Sequence, residues 1–299
     1  MTQGPSIRPA ADDDLPAVRA IADEAFDVEP GARGPLVDLL HDRGAGEVPV
    51  VRLVAELDGR VVGFAFGSVN GSRGFLDGWA VTAGARRGGV GSALLGECEA
   101  ALTRGGASTL QVGGNTWCYA WPGIDPAYTA ALALLERRGY ARTDTLLNMD
   151  VPLGDWVSGL APQALRRNGR GVKLRRATAA DATALVDFAR TFSDPWADEA
   201  TRAVGRDRPT AFLALRAGHV VGFACHGAYR DGWFGPTGVD PSERGNGLGE
   251  ALLRLCLDDL AAAGTQVAQI SWIGPMEFYN RTVGARCRRA FLVLEKSGS

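Results

Sequence analysis

Two stretches of the sequence set an arginine beside closely spaced glycines, directly before an apolar stripe. They are "RGNGLG", Arg244–Gly249, and "RRGGVG", Arg86–Gly91. Glycine weakens ordered backbone, so its repetition at the mouth of a helix needs a reason. The first N–H groups of a helix have no internal partner, and the helix dipole adds partial positive charge there. A loop without Cβ atoms lets a phosphate reach several of those groups at once, and an arginine adds a full charge with a forked donor set. The stretches read as pyrophosphate cradles. One comprises Val239, Arg244, Gly245, Asn246, Gly247, Leu248 and Gly249; the other comprises Val81, Arg86, Arg87, Gly88, Gly89, Val90 and Gly91. Neither is followed by GK[ST], and neither has the G-x-G-x-x-G order, so P-loop and dinucleotide folds do not fit.

The cradles belong to an internal repeat. Val81 and Val239, Arg86 and Arg244, Gly89 and Gly247, and Cys98 and Cys256 all stand 158 residues apart. "GRVVGFAFG" and "GHVVGFACHG" match at an offset of 159, and "IRPAADDD" and "LRRATAAD" at 167. The chain thus reads as one unit written twice, at residues 1–153 and 172–299, with a linker at 154–171. Trp156, Val157 and Leu160 suggest that the linker docks onto the protein.

Each copy must then supply the elements that position its cradle. A short strand ending in arginine leads into a helix, capped by Asp12–Asp14 in one copy and Asp181 in the other. A hairpin follows, with Asp58-Gly59 as the turn in the first copy. A further strand carries Trp79 and Val81, or Thr237 and Val239, and delivers the chain to the glycine turn. After its helix come a strand, a helix and a closing strand. The order β-α-β-β-β-α-β-α-β requires an α/β (α+β) fold: a mixed central sheet flanked by helices, in two tandem domains.

Composition excludes several classes. The hydrophobic content of 46% and charged content of 22% are those of a globular protein. A formal net charge of −2 gives no field to gather nucleic acid or acidic membrane. The five cysteines form no CxxC pair, and His41, His219 and His226 have no metal-ligand spacing, so no metal is expected. The repeated cysteine reads as a packing residue. There is no leader pattern and no apolar run of about 20 residues. A cytoplasmic protein, monomer or homodimer, is expected.

"VTAGARRGGVG" and "VDPSERGNGLG" resemble motif A of the GCN5-related N-acetyltransferases, and the element order and the "GRVVGFAFG" hairpin resemble that superfamily too. The resemblance covers nearly the whole chain, twice. It implies an acetyl-CoA site, with the pyrophosphate on 244–249 and a second on 86–91. It also implies direct transfer of acetyl from thioester to amine within a splayed V between two central strands.

The resemblance further implies a tyrosine on the last helix that protonates the departing thiolate. Tyr279, five residues before Gly284, fills that role in the second copy, whereas Leu134 and Leu135 occupy the corresponding places in the first. Catalysis is therefore expected in the C-terminal copy. A backbone N–H at the end of the strand carrying Val239 or Val81 is the expected oxyanion donor. For a base, Asp77 lies four residues before Val81, and Asp231, His226 and Glu277 are near the second site in sequence. Trp117, Tyr119 and Trp121 alternate, which fits either an aromatic wall for a sugar or ring-bearing acceptor or ordinary packing. The expected acceptor is the primary amine of a small molecule, an amino sugar first. Acetylation of a protein or peptide terminus is the enzymatic alternative; an acyl-CoA sensor or scaffold without turnover is the non-enzymatic one.

Overall fold

The computed structural model describes residues 4–28, 37–38, 40, 50–116, 121–165, 169 and 171–298. In chain order its first elements are β1 (Ser6–Pro9), α1 (Leu15–Ala25), β2 (Val50–Leu57), β3 (Arg60–Asn70), β4 (Arg73–Val81), α2 (Val90–Arg104), β5 (Thr109–Val112), α3 (Thr129–Arg137) and β6 (Ala141–Pro152). Then come β7 (Lys173–Arg176), α4 (Ala182–Arg190), α5 (Asp194–Val204), β8 (Ala211–Arg216), β9 (His219–His226), β10 (Trp233–Val239), α6 (Leu248–Ala262), β11 (Val267–Ile270), α7 (Met276–Val283) and β12 (Arg286–Ser297). None of these helices is long and apolar enough to cross a membrane.

The repeat is visible in local geometry. The hairpin turns Asp58-Gly59 and Ala217-Gly218 all take positive φ, the backbone that a two-residue turn needs to match strand twist. Arg8 holds Asp14 at 2.7 Å, and Arg175 holds Asp181 at 2.7 Å. Each aspartate also accepts a backbone N–H at the start of its helix, from Ala11 or Thr178. Helix α5 is an element of the second copy that the sequence reading does not contain. It starts where Ser193 accepts the Trp196 N–H at 3.3 Å, an N-cap with Pro195 in the first turn.

The chain forms two compact units. Unit 1 holds Met1–Leu146 and Ala290–Ser299; unit 2 holds Leu147–Arg289. These differ from the 1–153 and 172–299 of the repeat, because the closing strands change places. Residues 149–152 of β6 pair with β11 in unit 2, and residues 294–297 of β12 pair with β5 in unit 1. Met149 and Val151 accordingly fill the unit 2 core, and Leu294 fills the unit 1 core. The segment 154–171 lies within unit 2 rather than between copies. Trp156 Nε1–H donates to Asp258 Oδ1 at 2.7 Å, and the Gly159 N–H donates to Oδ2 at 3.0 Å.

Unit 1 orders its strands β1-β2-β3-β4-β5-β12, and unit 2 orders them β7-β8-β9-β10-β11-β6. Pairing is antiparallel except for β4–β5 and β10–β11, which are parallel. Helix α2 buries Leu94, Leu95, Cys98 and Leu102 against one sheet; α6 buries Leu252, Leu253, Cys256 and Leu257 against the other. Cys98 and Cys256 are fully buried at matching positions, and burial pushes both thiols up.

The parallel pairs are short, and this positions the site. β4 pairs with β5 only from Arg73 to Leu76, so its edge is open from Asp77 to Val81. β10 pairs with β11 only at Trp233 and Phe234. Each unit therefore carries a V-shaped opening that leads to its glycine turn.

Candidate functional site

The two turns are built alike. Gly89 has φ +85 and Gly247 has φ +84 at the entrance to α2 and α6. The first helical bonds run from Ala93 N–H to Gly89 and from Ala251 N–H to Gly247, both at 3.0 Å, which leaves the preceding amides without helical acceptors. Arg86 folds its Nε onto the Val81 carbonyl at 2.9 Å, and Arg244 does the same to Val239 at 3.4 Å. Thr82 N–H bonds to β3 and Asp240 N–H to β9. By antiparallel alternation, the N–H groups of Val81 and Trp79, and that of Val239, face the open edge.

The turns differ in what stands over them. A Cβ on Gly89 would meet nothing within 4 Å. A Cβ on Gly247 would lie 1.9 Å from the carbonyl oxygen of Ala164, and one on Gly169 would lie 2.6 Å from the Asn246 carbonyl. Residues 161–165 and Gly169 thus pack against the second turn as a strap. Further in, Phe192 fills the space at Gly238, where a Cβ would be 2.8 Å from its ring, and Phe278 packs 3.6 Å from the corresponding point on Gly249. Leu248, like Val90, turns its side chain into the core.

In unit 1 the V holds a cavity of about 680 Å³, and Arg86, Arg87, Gly89 and Gly91 line its cradle end. Arg87 itself adopts positive φ, 65°. Gly88 is exposed beside them. Glu24 buttresses the turn from α1, accepting the Thr82 hydroxyl at 2.6 Å and the Ala83 N–H. Phe26, Trp121 and Tyr128 supply an aromatic side of the same cavity, with Phe26 and Trp121 rings 5.0 Å apart.

Asp77 stands at the apex, the first β4 residue past the β5 pairing. Gly78 pairs with Phe66 and Leu76 with Gly67, so Asp77 is the extra residue of a β-bulge. Ser68 Oγ donates to its Oδ2 at 2.7 Å, and Asn115 Nδ2 donates to its Oδ1 at 2.7 Å.

The other sequence candidates scatter. The sequence reading places transfer in the second copy, around Tyr279, but Tyr279 sits in the unit 2 core with Phe234 and Phe278 against it. Burial pushes its hydroxyl up to about 12. His226 is buried under Phe212 and meets Asp259 at 2.9 Å, where Arg176 and Arg208 also bind. Burial lowers the His226 pKa against the opposing pull of Asp259. This is a charge cluster satisfied from within. Asp231 pairs with Arg206 on the surface, and Glu277 lies exposed beside Arg281. Of the aromatic trio, Trp121 lines the unit 1 cavity, while Trp117 and Tyr119 lie outside the described residues. The sequence reading missed Ser68, Asn115, Phe26 and the strap. Only Asn115 carried a signal, a polar residue just after a glycine pair in the segment already singled out for its aromatics.

Known proteins resemble this chain in sequence and fold. The family model described as the acetyltransferase (GNAT) family matches residues 15–140 and 177–281. A mycothiol acetyltransferase of Catenulispora acidiphila is 28% identical over 279 residues, 84% of each chain. A tandem GNAT protein from the clavulanic acid biosynthesis pathway superposes with a TM-score of 0.73 at 17% identity, over 99% of each chain. A GCN5-related glucosamine N-acetyltransferase region of a fungal multi-domain GH3 β-N-acetylglucosaminidase gives a TM-score of 0.79 at 19% identity. It covers 99% of this chain, which spans 38% of the fungal one. At such identities the structural likenesses speak to fold.

Proposed function

This chain belongs to the acetyltransferase (GNAT) family, and we propose that it transfers acetyl from acetyl-CoA to the primary amine of a small molecule in the cavity of unit 1. One contrast carries the reading: the Gly89 turn opens onto a cavity with a carboxylate at its apex, whereas the Gly247 turn lies under the Ala164 carbonyl.

The residues present fit the donor. Gly89 has positive φ and open space around it, so its turn leaves room for an anion at the start of α2. Arg86, Arg87 and the amides up to Gly91 would hold the pyrophosphate. Acetyl-CoA, when bound, supplies a thioester-activated acetyl group. The Val81 and Trp79 N–H groups on the open edge of β4 offer donors to a developing oxyanion. Asp77 would accept the proton that the amine loses as the C–N bond forms, and the electron pair of the broken C–S bond would leave on the CoA sulfur as thiolate. Phe26, Trp121 and Tyr128 narrow the acceptor end and limit water there, which favours a small amine over a peptide terminus.

Glucosamine, the acceptor of the fungal region, is the first amine to test. Release of free CoA thiol from acetyl-CoA is followed with glucosamine and then with a panel of primary amines and N-terminal peptides. Turnover of a small amine supports the reading. Turnover of peptides alone, or CoA binding with no turnover at all, refutes it.

A further inference from the structure

The bulge that presents Asp77 is held from behind by two buried groups. Ser68 on β3 is 3% exposed, and Asn115, just past β5, is 4% exposed. Besides its bond to Asp77 Oδ1, Asn115 Nδ2 donates to Ser68 Oγ at 3.0 Å, which closes a ring of three side chains. A neutral donor thus reaches each carboxylate oxygen. Together they restrain both the position and the plane of the group.

The backbone around Asn115 is arranged for this. Gly113 and Gly114 both have positive φ, and the Gly114 N–H donates to the Pro122 carbonyl at 2.6 Å. A Cβ on Gly113 would lie 2.2 Å from the Gly123 Cα, so glycine is required for the loop to close and to aim Asn115 at the bulge. The repeat lacks the arrangement. At offsets of 159 and 158 residues, Ser68 falls on Gly227 and Asp77 on Gly235. A device that served the fold alone would be expected in both copies; this one occurs only beside the open cradle.

We propose that Asn115 and Ser68 are positioning residues that orient the Asp77 carboxylate toward the acceptor amine. The inference rests on the assignment of Asp77 as proton acceptor. A misplacement of about 1 Å at a reacting group costs roughly 10²-fold in rate, so the restraint has a measurable consequence.

The test is a double-mutant cycle on the full chain, assayed as CoA release from acetyl-CoA with glucosamine or the panel amine that the wild type turns over. Asn115→Ala is expected to lower kcat about 10–100-fold, with KM for acetyl-CoA changed less than about twofold. On an Asp77→Asn background the same change is expected to lower kcat no further. Ser68→Ala removes a single oxygen, and it serves the same cycle if Asn115→Ala fails to fold. Without donor or acceptor, the Asn115 side-chain amide should appear in a ¹⁵N–¹H spectrum as slowly exchanging and should shift on Asp77→Asn. A full multiplicative loss in the Asp77→Asn background, or wild-type kcat in Asn115→Ala and Ser68→Ala, overturns the positioning role. Wild-type kcat in Asp77→Asn instead overturns the assignment on which it rests.

Discussion

The Ala164 carbonyl oxygen stands where a side chain on Gly247 would begin, 1.9 Å from its ideal Cβ, whereas the matching Gly89 has nothing within 4 Å. A peptide oxygen packed against the turn takes up space beside it that the Gly89 turn leaves open. Titration calorimetry with CoA should therefore give about one equivalent per chain, each charge-assisted contact being worth roughly 1.5–3 kcal/mol. Arg86→Glu with Arg87→Glu should weaken binding at least about tenfold by that measure, and Arg244→Glu should leave it within about twofold. Two equivalents, or loss with Arg244→Glu alone, would place the donor on the second turn.

Asp77→Asn keeps the size of the side chain but removes the proton acceptor; its one amide oxygen can still accept from Asn115, while its NH2 must donate to Ser68 Oγ where the carboxylate accepted. General-base catalysis contributes typically 10²–10⁴-fold, so kcat for the small amine should fall by about that factor. KM for acetyl-CoA, set by the cradle, should hold. Steady-state kinetics across both substrates separates the effects.

Tyr279 supports packing in this structure. It lies 6.1 Å from Phe234 and 5.1 Å from Phe278, ring to ring, in the core beneath the strapped turn. Tyr279→Phe should change kcat less than about twofold, against the roughly 10²–10⁴ that a general acid contributes. A loss in the latter range, with folding intact by circular dichroism, would return catalysis to the second unit.

What could be read from the chain divides by range. The glycine turns were legible because positive φ is a local demand, met at Gly89 and Gly247 alike. That Asp77 lies on one strand with Val81 was legible from their spacing; its part as proton acceptor belongs to the proposed function. The strap was not: nothing within "APQAL" tells that its carbonyl will meet a glycine some eighty residues later. Nor were the partners of β6 and β12. Alternation of apolar residues fixes which face of a strand is buried, but it does not name the neighbouring strand. Helix α5 could have been found, since Ser193 before Asp194-Pro195 is an N-terminal signal; the aromatic run through Phe192 and Trp196 masked it.

The exchanged strand makes a prediction of its own. Lys296 on β12 reaches Glu99 on α2 at 2.8 Å, and Arg138 holds the same carboxylate at 2.5 Å. Lys296 also sits 4.9 Å over the Tyr140 ring. Glu99 would keep one cation in Lys296→Ala, so the loss should be that of one charged hydrogen bond, about 1.5–3 kcal/mol. Urea unfolding monitored in unit 1 should show it as a lower midpoint with an unchanged slope. Deleting residues 290–298 takes away buried Phe291 and Leu294 as well, and should abolish cooperative unfolding of that unit.

A last prediction follows from Glu199 on α5. Burial pushes its carboxyl up to about 8, Asp198 adds to the rise, and Arg202 opposes it. It lies close enough to Cys225 of β9 to help raise that thiol, and the Tyr229 hydroxyl donates to neighbouring Asp198 at 2.6 Å. Because the folded value exceeds the ordinary one, the folded chain keeps this proton after the unfolded chain has released it. The contribution to stability is complete below about pH 4, declines as pH rises toward about 8 and is gone above it. Glu199→Gln keeps the neutral shape and removes the titration. Thermal melts should coincide at about pH 4 and separate progressively as pH rises to about 8.5, with the variant higher, on a scale of about 2–4 °C per kcal/mol. A wild type that melts above the variant at pH 8.5 would mean that Glu199 is ionised and held by a cation in the folded chain.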